Sequence, residues 1–226
     1  MLRRKGMLIA QPLLASKQSA PSTALSSLLP HTSRRSIATY ANPRVQAKVE
    51  GLAKLHPSFL ADLKTVQDSP HVYHFEEGKP GTRNRFNPET RTVALVNHTH
   101  GLLAGGDDEK AAHETHHASQ HARVMAHYAG PSASTKTEAF FNNPNNALAA
   151  EISAHVTQMQ VRSGKQTLGP QEQQDISDML KNYPSKGGAA YRGATLITAK
   201  QKFKSLDEHA ESRLRVENAG IDVDKL

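Results

Sequence analysis

Apolar residues recur along the chain at two periods, and the switches between them mark out the elements. Val45, Val49, Leu52 and Leu55 follow at three- and four-residue spacing, the stripe of an amphipathic helix over 44–55. Pro57, which a helix accepts in its first turn, opens a second helical stretch with Phe59, Leu60, Leu63 and Val66. Residues 71–76 then alternate, with His71, Tyr73 and Phe75 on one side and Val72, His74 and Glu76 on the other, which predicts a half-buried strand. TVALV at 92–96 predicts a more buried one, and the turn-rich GKPGTRNRFNP between them predicts a hairpin.

After the loop HGLLAGGDD a helix is expected from Glu109 to Tyr128, capped by Asp107 or Asp108 and stopped at Gly130-Pro131. Residues 131–146 have loop composition. Helical spacing returns over 147–161 with Leu148, Ile152, Val156 and Met159, and Pro170 opens another helix. ATLIT at 194–198 predicts a short strand, followed by a last helix over 206–219 closed by Gly220. There is no internal repeat. Helices around a small sheet make this an α+β chain.

Composition divides that pattern in two. Residues 1–49 contain no Asp or Glu, and the stretch through Tyr40 carries six of the 28 Lys and Arg. The remainder holds 22 basic residues against all 21 acidic ones, so all but one unit of the overall charge of +7 belongs to the N-terminal segment. A nearly neutral body without Trp argues against a nucleic-acid partner. Residues 1–43, rich in Ser, Ala, Leu and Arg, are expected to be a disordered targeting or export segment preceding a single domain over 44–226. A mitochondrial presequence, with Arg35-Ser36-Ile37-Ala38 as processing site, and a bacterial effector export signal share this composition. No stretch approaches 18 apolar residues, so no membrane-spanning helix is expected.

Cys is absent, which leaves His and carboxylates as the only strong metal ligands. Seven of the 13 His fall between His98 and His127, and within that window stands His113-Glu114-Thr115-His116-His117, a match to H-E-x-x-H. On a helix, positions i and i+4 lie on one face, so His113 and His117 can offer nitrogens to a single ion. Glu114, rotated about 100° from His113, falls beside the ion, where a general base for a metal-bound water belongs. A catalytic zinc takes three protein ligands. Gln120 and Arg123 stand where a metzincin pattern would continue, so the third ligand must come from elsewhere. Glu151, 34 residues past His117 and among small residues, is the leading candidate, with Glu138 its competitor. His155, one turn beyond Glu151, is read as a second-shell donor, a transition-state donor or a packing residue. His121, His127 and His155 stand in reserve as ligands.

HETHH followed by Glu151 in AAEISAHVTQ resembles the gluzincin branch of the zincin metallopeptidases. The resemblance implies one zinc ion held by His113, His117 and Glu151, with Glu114 as base, in a small zincin-like domain with its sheet packed on the HExxH helix. From about 70 to 220 the order of parts also looks like the small metallopeptidase effectors that pathogenic bacteria inject into host cells, which implies secretion, virulence and a protein or peptide substrate. Thr115 and His116 depart from the apolar residues usual in the motif, leaving His116 to face solvent or substrate. The expected function is a zinc-dependent metalloendopeptidase. The rivals are a non-catalytic His-rich metal-binding or interaction protein, and a mitochondrial matrix protein whose His cluster is incidental.

Overall fold

The computed structural model describes residues 38–79, 82–96, 108–186 and 188–226. Nearly all of the 1–43 segment and the loop at 97–107 lie outside the described residues. The paired helices are α1 (Pro43–Leu55) and α2 (Pro57–Asp68). The Asn42 side chain caps α1 by accepting from the Val45 N–H at 2.9 Å, and Pro43 and Pro57 each occupy a first turn. Val45, Val49, Leu52, Phe59, Leu63 and Val66 are buried, as the stripe requires.

Four strands form one sheet in the order β1-β2-β4-β3: β1 (Ala38–Tyr40), β2 (Tyr73–Glu77), β3 (Arg85–Asn87) and β4 (Thr92–Leu95). Ala38–Tyr40, grouped by composition with the N-terminal segment, thus belongs to the sheet and pairs in parallel with β2. The expected hairpin between the two longer strands is not formed. They run parallel, with His74 opposite Thr92, and the hairpin is made instead by β3 and β4, with Phe86 opposite Val93. The reason is the short RFN strand inside the turn-rich stretch. Asn87 Oδ1 accepts from the N–H groups of Glu89 and Thr90, and Arg91 takes a left-handed φ of 52°, so the chain reverses there. Tyr73 and Phe75 point into the core, matching the predicted alternation.

The rest is helical: α3 (Asp108–Tyr128), α4 (Ala133–Asn142), α5 (Pro144–Ser163), α6 (Pro170–Lys186), α7 (Leu196–Ser205) and α8 (Ala210–Asn218), with 3-10 turns at Ala189–Tyr191, Asp207–His209 and Val223–Lys225. Two expectations fail here. The 131–146 loop contains α4, which buries Ala133, Thr137 and Phe140 despite its Ser- and Asn-rich composition. The ATLIT strand is the start of α7, because Thr195 Oγ1 accepts from the Thr198 N–H and caps a helix.

Two apolar clusters flank a polar seam. One joins α1, α2, the sheet and the small residues Ala111, Ala112, Ala118 and Ala122 of α3. The other joins Leu148, Ile152 and Val156 of α5 to α6, α7, α8 and the C-terminal residues. Between them α3 and α5, the most extensively packed pair of elements, bring polar side chains face to face. No helix among the described residues is long and apolar enough to cross a membrane.

Candidate metal centre

Small residues let α3 and α5 approach closely, and their facing side chains are the ones singled out by spacing. His113 and His117, one turn apart on α3, place their Nε2 atoms 3.0 Å from each other. The Glu151 carboxylate of α5 meets both: Oε2 lies 3.2 Å from His113 Nε2 and Oε1 3.3 Å from His117 Nε2. Four ligands set tetrahedrally at 2.0–2.1 Å around zinc stand about 3.3–3.4 Å apart, so these three groups are spaced close to one face of such a shell. His155 Nε2 sits farther out, 3.8 Å from Glu151 Oε2, and His113, Glu151 and His155 also form a buried group able to hold a metal ion.

The electrostatics fit a cation. Burial opposes charge on Glu151, but His117 and His113 hold its carboxyl well below the usual range. Burial likewise opposes a charged His117, yet the Glu151 carboxylate lifts its pKa to about 9. The same negative potential that retains a proton on His117 would attract a metal ion in its place. His155 is the reverse case, since burial and then the neighbouring His113 push it down to about 3.

Glu151 is held from a second side by two residues absent from the sequence reading. Tyr183 of α6 donates to Oε2 at 2.8 Å, and Tyr191 in the 3-10 turn donates to Oε1 at 2.5 Å. Burial, followed by the Glu151 charge, raises both phenols and keeps them protonated. The His155 ring reaches the Tyr183 hydroxyl at 3.0 Å, so it also meets Glu151 through Tyr183. The sequence signal for these tyrosines was faint: two Tyr flanking a Gly-rich segment, eight residues apart.

Glu114 stands beside the cluster. Its Oε2 accepts the backbone N–H of Phe86 on β3 at 2.7 Å, which ties the HExxH helix to the edge strand. Burial pushes its carboxyl up, against the pull of His113 and His117. The cluster floors a cleft of about 390 Å³, whose walls include Phe86, His121 and Phe141 on one side and Ala190 and Tyr191 on another.

The remaining candidates separate clearly. Glu138 is exposed on α4, and His127 lies 3.9 Å from Glu208. His121 borders the cleft with its Nδ1 at 2.8 Å from the Tyr73 hydroxyl. His116 faces neither solvent nor substrate. It is fully buried, with Nδ1 2.9 Å from Asp62 Oδ2 and Nε2 2.9 Å from Ser153 Oγ. Asp62, itself fully buried on α2, also accepts from Ser119 and Arg123 of α3 and from both terminal nitrogens of Arg215 on α8. The polar residue inside the motif is thus an internal strut; its partner lies 54 positions away, beyond the reach of local pattern. No family model matches the chain, and neither a curated protein nor a solved structure matches it.

Proposed function

We propose that the protein is a zinc-dependent metallopeptidase. The observation that supports this reading most is the convergence of His113, His117 and Glu151 at 3.0–3.3 Å in a buried cluster flooring a cleft, with Glu114 at its side. A zinc ion in such a site supplies Lewis acidity and lowers the pKa of a bound water to about 7. Glu114, anchored through Oε2 to Phe86, keeps Oε1 as proton acceptor; it takes a proton from the attacking water and delivers it to the leaving amine. The raised proton affinity of its buried carboxyl suits that exchange. Tyr183 and Tyr191 fix the Glu151 carboxylate and border the space a peptide carbonyl would enter.

The experiment is metal analysis together with hydrolysis of an unstructured protein such as casein by the full chain. One equivalent of zinc, and cleavage abolished by Glu114→Gln with the zinc retained, are expected. Loss of zinc in Glu114→Gln would make that residue a ligand and defeat the mechanism. The buried His113–Glu151–His155 group favours one second reading, a closed metal site without catalysis. It requires that His155→Ala lose the metal and that no substrate be cut.

A further inference from the structure

We infer that Gln120 is a positioning residue for His117, and that its orientation is fixed by the Ala150 carbonyl and Ser153, at the end of a buried hydrogen-bond chain running back to Asp62. The inference rests on the metal-centre reading above. The links are Asp62, His116, Ser153, Gln120 and His117, and every step measures 2.9 Å.

The polarity of the chain follows from its two ends. At one end Asp62 is ionised: burial opposes this, but His116, Arg215 and Arg123 hold its carboxyl below the usual range. A carboxylate only accepts, so His116 Nδ1 carries the proton that points at Oδ2. His116 itself is fully buried between that carboxylate and Ser153. Its Nε2 meets the Ser153 hydroxyl at 2.9 Å. Ser153 Oγ in turn accepts from the Gln120 amide nitrogen.

At the other end the backbone supplies an independent check. Gln120 Nε2 also lies 2.9 Å from the carbonyl oxygen of Ala150, which can only accept. Both amide protons are therefore spent, on Ala150 and Ser153, and the amide cannot be turned around without setting two oxygens against each other. Its Oε1 must face His117, and an oxygen without a proton can only accept. The proton on His117 is thereby assigned to Nδ1. This leaves Nε2, the atom 3.0 Å from His113 and 3.3 Å from Glu151, as the coordinating lone pair. Gln120 lies three residues past His117 on the same helix and is 4% exposed, so the contact is local and dry.

Two substitutions test this by zinc affinity, measured by competition with a chromogenic chelator. Gln120→Met removes the acceptor and is expected to weaken zinc binding 10- to 100-fold. Gln120→Glu restores an acceptor for Nδ1 while losing the bond to Ala150. It should melt as low as the Met variant yet recover the zinc affinity. A residue serving only as packing would lower affinity and stability together in both. In the zinc-loaded wild-type protein, 15N-edited NMR should show a slowly exchanging Nδ1 proton on His117. Wild-type affinity in a folded Gln120→Met, or no recovery in Gln120→Glu, overturns the inference while leaving the metal centre standing. Should Gln120→Met fail to fold, an unprotected or absent Nδ1 proton in the wild-type spectrum overturns it alone. A wild-type protein that binds no zinc overturns the metal-centre reading and this inference with it.

Discussion

Tyr191 and Glu151 are joined at 2.5 Å although forty residues separate them, and the phenol meets Oε1, the carboxylate oxygen that also faces His117. With Tyr183 on Oε2, the carboxylate has a donor on each oxygen, and its plane is set before any metal arrives. Tyr191→Phe should therefore weaken zinc binding by about 10- to 100-fold without changing the one-to-one stoichiometry. The doubly substituted Tyr183→Phe/Tyr191→Phe protein should bind more weakly than either. Isothermal titration of the metal-free chain measures both.

The proton that Glu151 holds on His117 competes with zinc. Below the His117 pKa of about 9, each unit of acidification lowers the deprotonated fraction about tenfold, and zinc must displace that proton. Apparent zinc affinity should rise about tenfold between pH 7 and pH 8 and level off near pH 9. Chelator competition at constant ionic strength reads this directly. An affinity independent of pH across that range would show that His117 does not bind the metal.

Stability should respond to acid through histidines kept neutral inside the fold. His209 packs its ring against Phe140 and Phe203, and burial pushes its pKa down to about 4 from an ordinary 6.5. The unfolded chain takes up that proton first, so the contribution is intact above pH 6.5 and is lost as pH falls towards 4. The loss is about 3 kcal/mol over the window, given roughly 1.4 kcal/mol per pH unit. Urea denaturation at pH 7 and at pH 4.5 should show a smaller difference for His209→Gln than for the wild-type chain.

Asp62 ties α2, α3 and α8 together, and its removal leaves Arg215 without its carboxylate partner and Arg123 with only the exposed Glu211 as counter-charge. Asp62→Ala should cost about 3–5 kcal/mol in urea denaturation, the range for breaking one side of a buried ion pair. Removing the exposed end of the network, with Glu211→Ala, should cost little, because that carboxylate is solvated.

What was legible in the sequence is what depends on near neighbours. The helix carrying His113 and His117 and the start of α2 at Pro57 follow from periodicity and residue type within a few positions. For the joining of Glu151 to that helix the sequence carries only a local sign, the small neighbours Ala147 and Ala150 that permit close helix approach. Residues 131–146 misled because Ser, Thr and Asn disfavour helix only until burial of Thr137 and Phe140 outweighs them. Thr195 misled because a β-branched run and an N-cap followed by a helix share the same letters. Parallel pairing of β2 with β4 and the burial of His116 depend on partners 18 and 54 positions away, which no local period encodes.

The grip of Arg215 on Asp62 also orders events in time. The two residues are 153 positions apart, and Arg215 follows all the proposed metal ligands in the chain. Chains are synthesised from the N-terminus, so α2, α3 and α5 can dock while Asp62 still lacks its bidentate partner. The ligand helix gains its full anchoring only when α8 has been made. A nascent chain that has not yet reached α8 therefore carries all the proposed metal ligands without the clamp on Asp62.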